Sequence, residues 1–161
     1  MRLAALALCL LATPALASDP FAPLAGLMGE WVNDGAPSEG TGYFSLAADL
    51  ENHVLVRKNH AEYPAVKDRP AGIHDDLMIV YPAGTKLRAH YFDNEGHVIE
   101  YDVVPAADGK NLVLTSTGPG PIFRLTYERS GAAAWAITFE MAMPEKPTQF
   151  RKLVSGKVHR K

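Results

Sequence analysis

The chain carries a single cysteine, Cys9, among 161 residues, and one thiol can close no disulfide within the chain. Charge of neither sign dominates. Sixteen Lys and Arg stand against eighteen Asp and Glu, a formal net charge of −2. So mild a balance offers no electrostatic case for nucleic acid or for an anionic membrane surface. Internal repeats, low-complexity tracts and linker-like stretches are missing. Past residue 17 no apolar run approaches the roughly 20 residues a spanning helix needs, so no membrane span is predicted. Neither an H-E-x-x-H nor a G-x-S-x-G spacing occurs, which leaves no motif for a metalloprotease or a hydrolase elbow.

What is present begins with a targeting pattern. Met1-Arg2 is a minimal positive start, Leu3–Ala12 an apolar core, and Thr13–Ala17 ends in A-x-A. Residues 1–17 therefore read as a signal peptide cleaved after Ala17. A lipidated Cys9 fits poorly, because Leu8 stands where a small residue belongs. Cleavage predicts a periplasmic or secreted protein, residues 18–161 forming a single domain. Cys9 leaves with the signal, and with it any thiol nucleophile, cysteine zinc site or iron–sulfur cluster.

From Ser18 to Met28 the pattern is helical. Ser18 or Asp19 can cap, Pro20 suits the first helical position, and Gly29 is a natural stop. Phe21, Leu24, Leu27 and Met28 form one apolar face of a segment too short to be stable alone. Beyond Trp31, turn signals recur at Asn33-Asp34-Gly35, Ala83-Gly84, Asp93–Gly96, Asp108-Gly109, Gly118–Gly120, Ser130-Gly131 and Pro144–Pro147. The intervening segments are rich in Val, Ile, Tyr, Phe and Thr. They predict about nine strands, near residues 39–46, 53–62, 75–82, 86–92, 97–104, 111–117, 121–129, 134–142 and 149–158. The fold class is all-β: an antiparallel up-and-down barrel with a short N-terminal helix.

Alternation assigns faces. Tyr101, Phe123, Tyr127, Trp135 and Phe139 fall on the inner side, with Phe44 beside them, and Glu100 and Asp102 fall outside. In the strand His53–Tyr63, Lys58, His60 and Glu62 make a wet face. The opposite face then carries Arg57, Asn59 and Tyr63 into the interior. A buried guanidinium needs a partner. A ligand carboxylate assisted by Tyr63 would serve, and so would an internal Asp or Glu.

Other candidates are thinner. His74 and Asp76 follow a loop-like stretch, Pro64–Ile73, and can be two metal ligands or a capped strand start with solvated carboxylates. No metal site is predicted. His60, His90 and His97 are scattered, and a haem would have to use His159 or His60. Ser116 and Ser155 have no evident base nearby in sequence, and Gly118–Pro121 reads as a rigid turn.

Leu24–Trp31 with its G-x-W triplet, Asp75–Tyr81, and Tyr91-Phe92-Asp93-Asn94-Glu95-Gly96-His97 together resemble bacterial secreted calycin-like proteins, lipocalin-like families of unknown function (the DUF1579 type). The resemblance implies a barrel whose bottom is closed at Trp31, with Gly29 turning the chain into the first strand. It also implies a basic residue of the last strand over Trp31, with Arg151, Lys152 and Arg160 the candidates and Arg151 the one chosen. Loosely, it implies small-molecule binding.

The function expected from all this is binding of a small, mostly apolar or amphiphilic ligand that can carry an anionic head. The wall would be Phe44, Tyr101, Phe123, Tyr127, Trp135 and Phe139; Arg57, Asn59 and Tyr63 would meet the polar end. No catalytic residue and no cofactor is assigned, and the oligomeric state is open. The alternatives are an acid–base isomerase or hydratase using Tyr63, His90 or His97, and a filled barrel whose outer face binds an envelope protein.

Overall fold

The computed structural model describes residues 19–161 apart from 37, 39 and 68. The predicted signal peptide, 1–17, lies outside the described residues. Ten strands follow in order: β1 (Gly29–Asn33), β2 (Thr41–Asp49), β3 (Val54–Tyr63), β4 (Gly72–Ala83), β5 (Lys86–Asp93), β6 (Val98–Pro105), β7 (Asn111–Ser116), β8 (Ile122–Gly131), β9 (Ala134–Ala142) and β10 (Arg151–Arg160). Each pairs antiparallel with its sequence neighbours, and β1 pairs with β10 to close the ring. The predicted up-and-down barrel is therefore the observed one, with ten strands rather than nine. The extra strand is β1, five residues around the entry tryptophan. Trp31 is opposite Phe44 on one side and Arg160 on the other, so this short strand is what joins the ends of the meander. Closure leaves no open sheet edge to template aggregation.

The expected N-terminal helix is only a 3-10 turn, Ala22–Leu24. Its backbone bonds all span three residues: Ala22 to Asp19, Leu24 to Phe21, Ala25 to Ala22 and Leu27 to Leu24. Pro20 and Pro23 supply no N–H, and an interior proline clashes with the carbonyl four residues back, so the wider α-turn is not formed. Asp19 takes the N–H of Phe21 on its side chain (2.9 Å), which further favours the tight turn. The predicted apolar face survives the change. Phe21, Leu24 and Leu27 are all buried, each contributing about 1.5–3 kcal/mol by leaving water.

Those three side chains plug the end of the barrel where the β2–β3, β4–β5, β6–β7 and β8–β9 hairpins lie. Leu55, Val80, Leu87, Val103, Leu112 and Trp135 fill the interior there. Trp31 is stapled to the plug by its indole N–H, which donates to the Leu27 carbonyl (2.8 Å). Arg160, not Arg151, lies over the Trp31 ring, 4.7 Å from its centre. Arg151 is an exposed residue at the opposite end of β10, paired with Met141. Position along the strand decides between them, since β10 runs from the open end toward the plug.

Candidate functional site

The predicted faces of β3 hold. Leu55 and Arg57 are buried while Lys58 and Glu62 are exposed. Arg57 points into the barrel and is 8% exposed. Its Nη1 donates to the Asp76 carboxylate in a very close contact. The partner is thus internal and comes from β4, where His74, Asp76, Met78 and Val80 share the inward face. His74 and Asp76 do not form a solvated strand start. The Asp76 side chain is nearly fully buried, and His74 Nε2 lies 3.5 Å from its second oxygen.

From this pair a polar chain runs toward the open end. His74 Nε2 is 3.0 Å from the Tyr91 hydroxyl, and His74 Nδ1 is 3.1 Å from Glu95. Tyr91 donates to Asp93 (3.2 Å), which also meets His97 Nδ1 at 2.8 Å. Burial pushes the Asp76 carboxyl above the usual carboxylate range, with Arg57, His74 and a hydrogen bond from Asn59 drawing it back. Burial also pushes the Tyr91, Tyr101 and Tyr127 phenols up, reinforced by Asp76. All three hydroxyls therefore stay protonated, and that of Tyr91 donates to Asp93.

Among the described residues four buried polar atoms lack a hydrogen-bond partner, and three lie on the inner face: Arg57 Nε, Tyr127 Oη and Trp135 Nε1. Buried polar groups are nearly always paired, so each such atom calls for an explanation. Arg57 and Tyr127 flank one side chain. The guanidinium carbon is 5.1 Å from the centre of the Phe44 ring, and the Tyr127 ring is 6.1 Å from it.

The aromatic wall read from the sequence divides between the two halves of the barrel. Trp31, Phe44 and Trp135 pack together at the plug side, with Tyr127 against Phe44. Tyr101 is buried at mid-height, edge-on to Tyr91. Phe123 and Phe139 stack on each other toward the open end (5.7 Å). There, Tyr91, Ile99, Phe123, Ile137 and Phe139 pack on the core yet remain partly exposed. Val154, opposite Phe139 on β10, is 49% exposed. Beside Ile137 the facing position is Gly156, which adds no side chain to the wall. Toward the open end the inner side chains are thus partly exposed, whereas at the plugged end they are buried. Two open hollows, of about 440 and 500 Å³, lie against the β3–β5 wall by Lys58, Leu77 and Phe92 and at the rim by Tyr63, Ala71 and Ile73; Phe123, Ile137 and Phe139 line neither.

Other expected site residues are not brought together. Tyr63 is six residues beyond Arg57 along β3, roughly 20 Å at the usual strand rise, and packs under Arg69 instead. His90 stands on the outer wall, stacked between Tyr81 and Phe92 and paired with Glu100. His97 caps a rim turn. Tyr63, His90 and His97 thus share no cavity. His60 and His159, the haem candidates, pair on the surface with Asp75 and Asp34. Ser116 accepts the N–H of Phe123 (2.9 Å). Among the described residues no group of three or more His, Cys, Asp and Glu is placed to hold a metal ion, and no helix is long and apolar enough to cross a membrane.

Asp76, His74 and Tyr91 are the interior residues that sequence reasoning left out of the site. The signal for Asp76 was weak but present: of the adjacent pair Asp75-Asp76, a strand must turn one inward. No protein-family model matches the chain, and no curated protein matches it either.

Proposed function

We propose that this barrel binds a small, mostly apolar molecule in its open half, as a periplasmic or secreted carrier of the calycin-like kind. The observation that carries the reading is the contrast between the two ends. Side chains of one half seal against the plug, while inward-facing Tyr91, Ile99, Phe123, Ile137 and Phe139 stay partly open to solvent. A mostly apolar concavity with a few placed polar groups is the usual make-up of a small-ligand site. The polar groups here are the Arg57–Asp76 pair and the Tyr91 and His74 beside it. Arg57 already has its counter-charge, so an anionic head group gains less from it than from a lone guanidinium.

Native mass spectrometry of the protein purified from the periplasm, with solvent extraction of what it carries, tests the reading. A defined bound mass is expected, lost in Ile137→Trp, which adds bulk among the partly exposed inner side chains and leaves the plugged core in place. An apo mass that takes up no member of a lipid and hydrocarbon panel overturns it, as does a ligand held equally well by Ile137→Trp.

A further inference from the structure

One strand of the barrel is apolar on both of its faces. In β4, Met78 and Val80 point inward and are buried, while the residues interleaved with them, Leu77, Ile79 and Tyr81, point outward. A strand with one wet face alternates, and an unbroken apolar run marks a strand covered on both sides. The outward run continues onto the neighbouring strands. Val56 is opposite Ile79, Phe92 is opposite Leu77, and Val98 is opposite Phe92. Phe92 and Val98 are 39% and 65% exposed. His90 is stacked between Tyr81 (5.5 Å) and Phe92 (6.4 Å), so the centre of this face is ordered before anything touches it. Elsewhere on the wall, across β8, β9 and β10, the outward row is instead Thr126, Thr138 and Ser155.

The charges at the corners of this face fit one occupant. Lys58, beside Leu77 on β3, is exposed and has no ion pair among the described residues. At the diagonally opposite corner, on β6, the Glu100 side chain is 54% exposed, and Arg88 is shared between it (3.4 Å) and Asp102 (3.5 Å). Even with His90 Nε2 3.2 Å from Glu100, a single guanidinium there serves two carboxylates. Three strand spacings, about 14 Å, separate β3 from β6, so Lys58 and Glu100 do not meet within one chain. A two-fold axis lying in the face, across the line that joins these corners, brings Lys58 of each copy against Glu100 of the other. The same axis lays the apolar centre on its own copy. We infer that the outer wall of β3–β6 docks a second copy of this chain, in a reversible two-fold dimer centred on Leu77, Ile79 and Phe92 and framed by Lys58–Glu100 pairs. The inward-facing residues take no part, so the dimer stands or falls independently of ligand binding.

Sedimentation velocity of the purified protein from about 1 µM to about 0.1 mM tests this, the range suited to a face smaller than a standard interface. A monomer giving way to a species of twice the mass is expected. Phe92→Asp should keep the protein monomeric throughout, with its circular dichroism unchanged, because Phe92 is on the outer wall. Lys58→Glu and Glu100→Lys each set like charges together twice across the two-fold axis, and each should weaken association about tenfold or more. The double reversal restores opposite charges and should bring the dissociation constant back to within about threefold of the wild-type value. A wild-type chain that stays monomeric at about 0.1 mM overturns the proposal. A dimer indifferent to Phe92→Asp also overturns it, by placing the contact elsewhere. So does a double reversal that associates no better than either single one, since the two corners then do not meet.

Discussion

Arg57 and Asp76 meet inside the barrel from adjacent strands, two residues out of register: Arg57 is opposite Met78, and Asp76 is opposite Asn59. The guanidinium reaches diagonally to the carboxylate while its carbon sits 5.1 Å over the face of Phe44. A charge pair so enclosed ties β3 and β4 in a single register, and it divides the filled half of the barrel from the open half.

Removing one member should cost far more than removing both. Arg57→Met leaves Asp76 as a lone buried carboxylate, and Asp76→Leu leaves a lone buried guanidinium. Each should lose about 3–5 kcal/mol of folding stability, and the double variant much less than the sum. Urea unfolding of the four proteins checks this as a double-mutant cycle. Additive losses would mean that the two charges are each solvated rather than paired.

The closed end offers a second cycle. Gly29 has φ +125°, and a Cβ there would come within 2.5 Å of Arg160 Nη1, the guanidinium that covers Trp31. Gly29→Ala thus meets two separate costs: a backbone conformation that L residues rarely adopt, and displacement of Arg160 from the indole. The expected loss is about 2–4 kcal/mol. In an Arg160→Ala background the collision is gone and only the backbone cost of about 1–3 kcal/mol remains. Thermal melts of the single and double variants measure the difference; equal losses in both backgrounds would show that Arg160 does not constrain Gly29.

Much of the wall was readable because β6, β8 and β9 alternate cleanly. Tyr101 and Val103 against Glu100 and Asp102, or Leu125 and Tyr127 against Glu128, leave one choice of face, and the burial agrees with it. β4 does not alternate. Leu77, Met78, Ile79 and Val80 are apolar in unbroken succession, so the inward set His74, Asp76, Met78 and Val80 is hidden in the sequence. Only pairing with β3 and β5 reveals it. The adjacent pair Asp75-Asp76 hints at one inward carboxylate, but nothing local ties it to Arg57, nineteen residues away. Choosing Arg160 over Arg151 likewise required the register of β10. The N-terminal segment failed differently: its apolar spacing of three and four suits a 3-10 turn as well as an α-helix, and the two prolines decided for the former.

On the outer face His60 joins β3 to β4 with Nδ1 2.7 Å from Asp75, and its Nε2 is 3.1 Å from Glu62. Hydrogen bonds to these carboxylates, Asp75 first, raise its pKa above the ordinary value of 6.5. The folded state thus holds the proton more tightly than the unfolded chain. The stabilisation is fully present below pH 6.5 and is lost as pH rises through the raised folded value. Asp75→Asn should bring the His60 titration, followed by proton NMR, back toward the ordinary value. A titration unchanged by that substitution would assign the shift to something other than Asp75.

Asp93 closes the rim turn in the opposite sense. Its Oδ1 accepts the N–H groups of Glu95 (3.0 Å) and His97 (2.9 Å), and its Oδ2 meets the His97 ring. Burial alone would raise its pKa, but the His97 and Glu95 hydrogen bonds overcome this and hold it below the ordinary 3.8. The charged form is thus favoured by folding. Its stabilisation is complete above the unfolded value and drains away as pH falls through the lower folded one. Asp93→Ala, which removes every one of these bonds, should cost about 2–4 kcal/mol at neutral pH. Asp93→Asn keeps an acceptor for the turn and loses the charge, so its deficit should be present at about pH 6 and shrink as pH falls below the ordinary 3.8. Urea midpoints for the wild type and Asp93→Asn across that range read the trend directly. A deficit that stays constant would mean the turn is held by shape alone, with the carboxylate's charge contributing nothing.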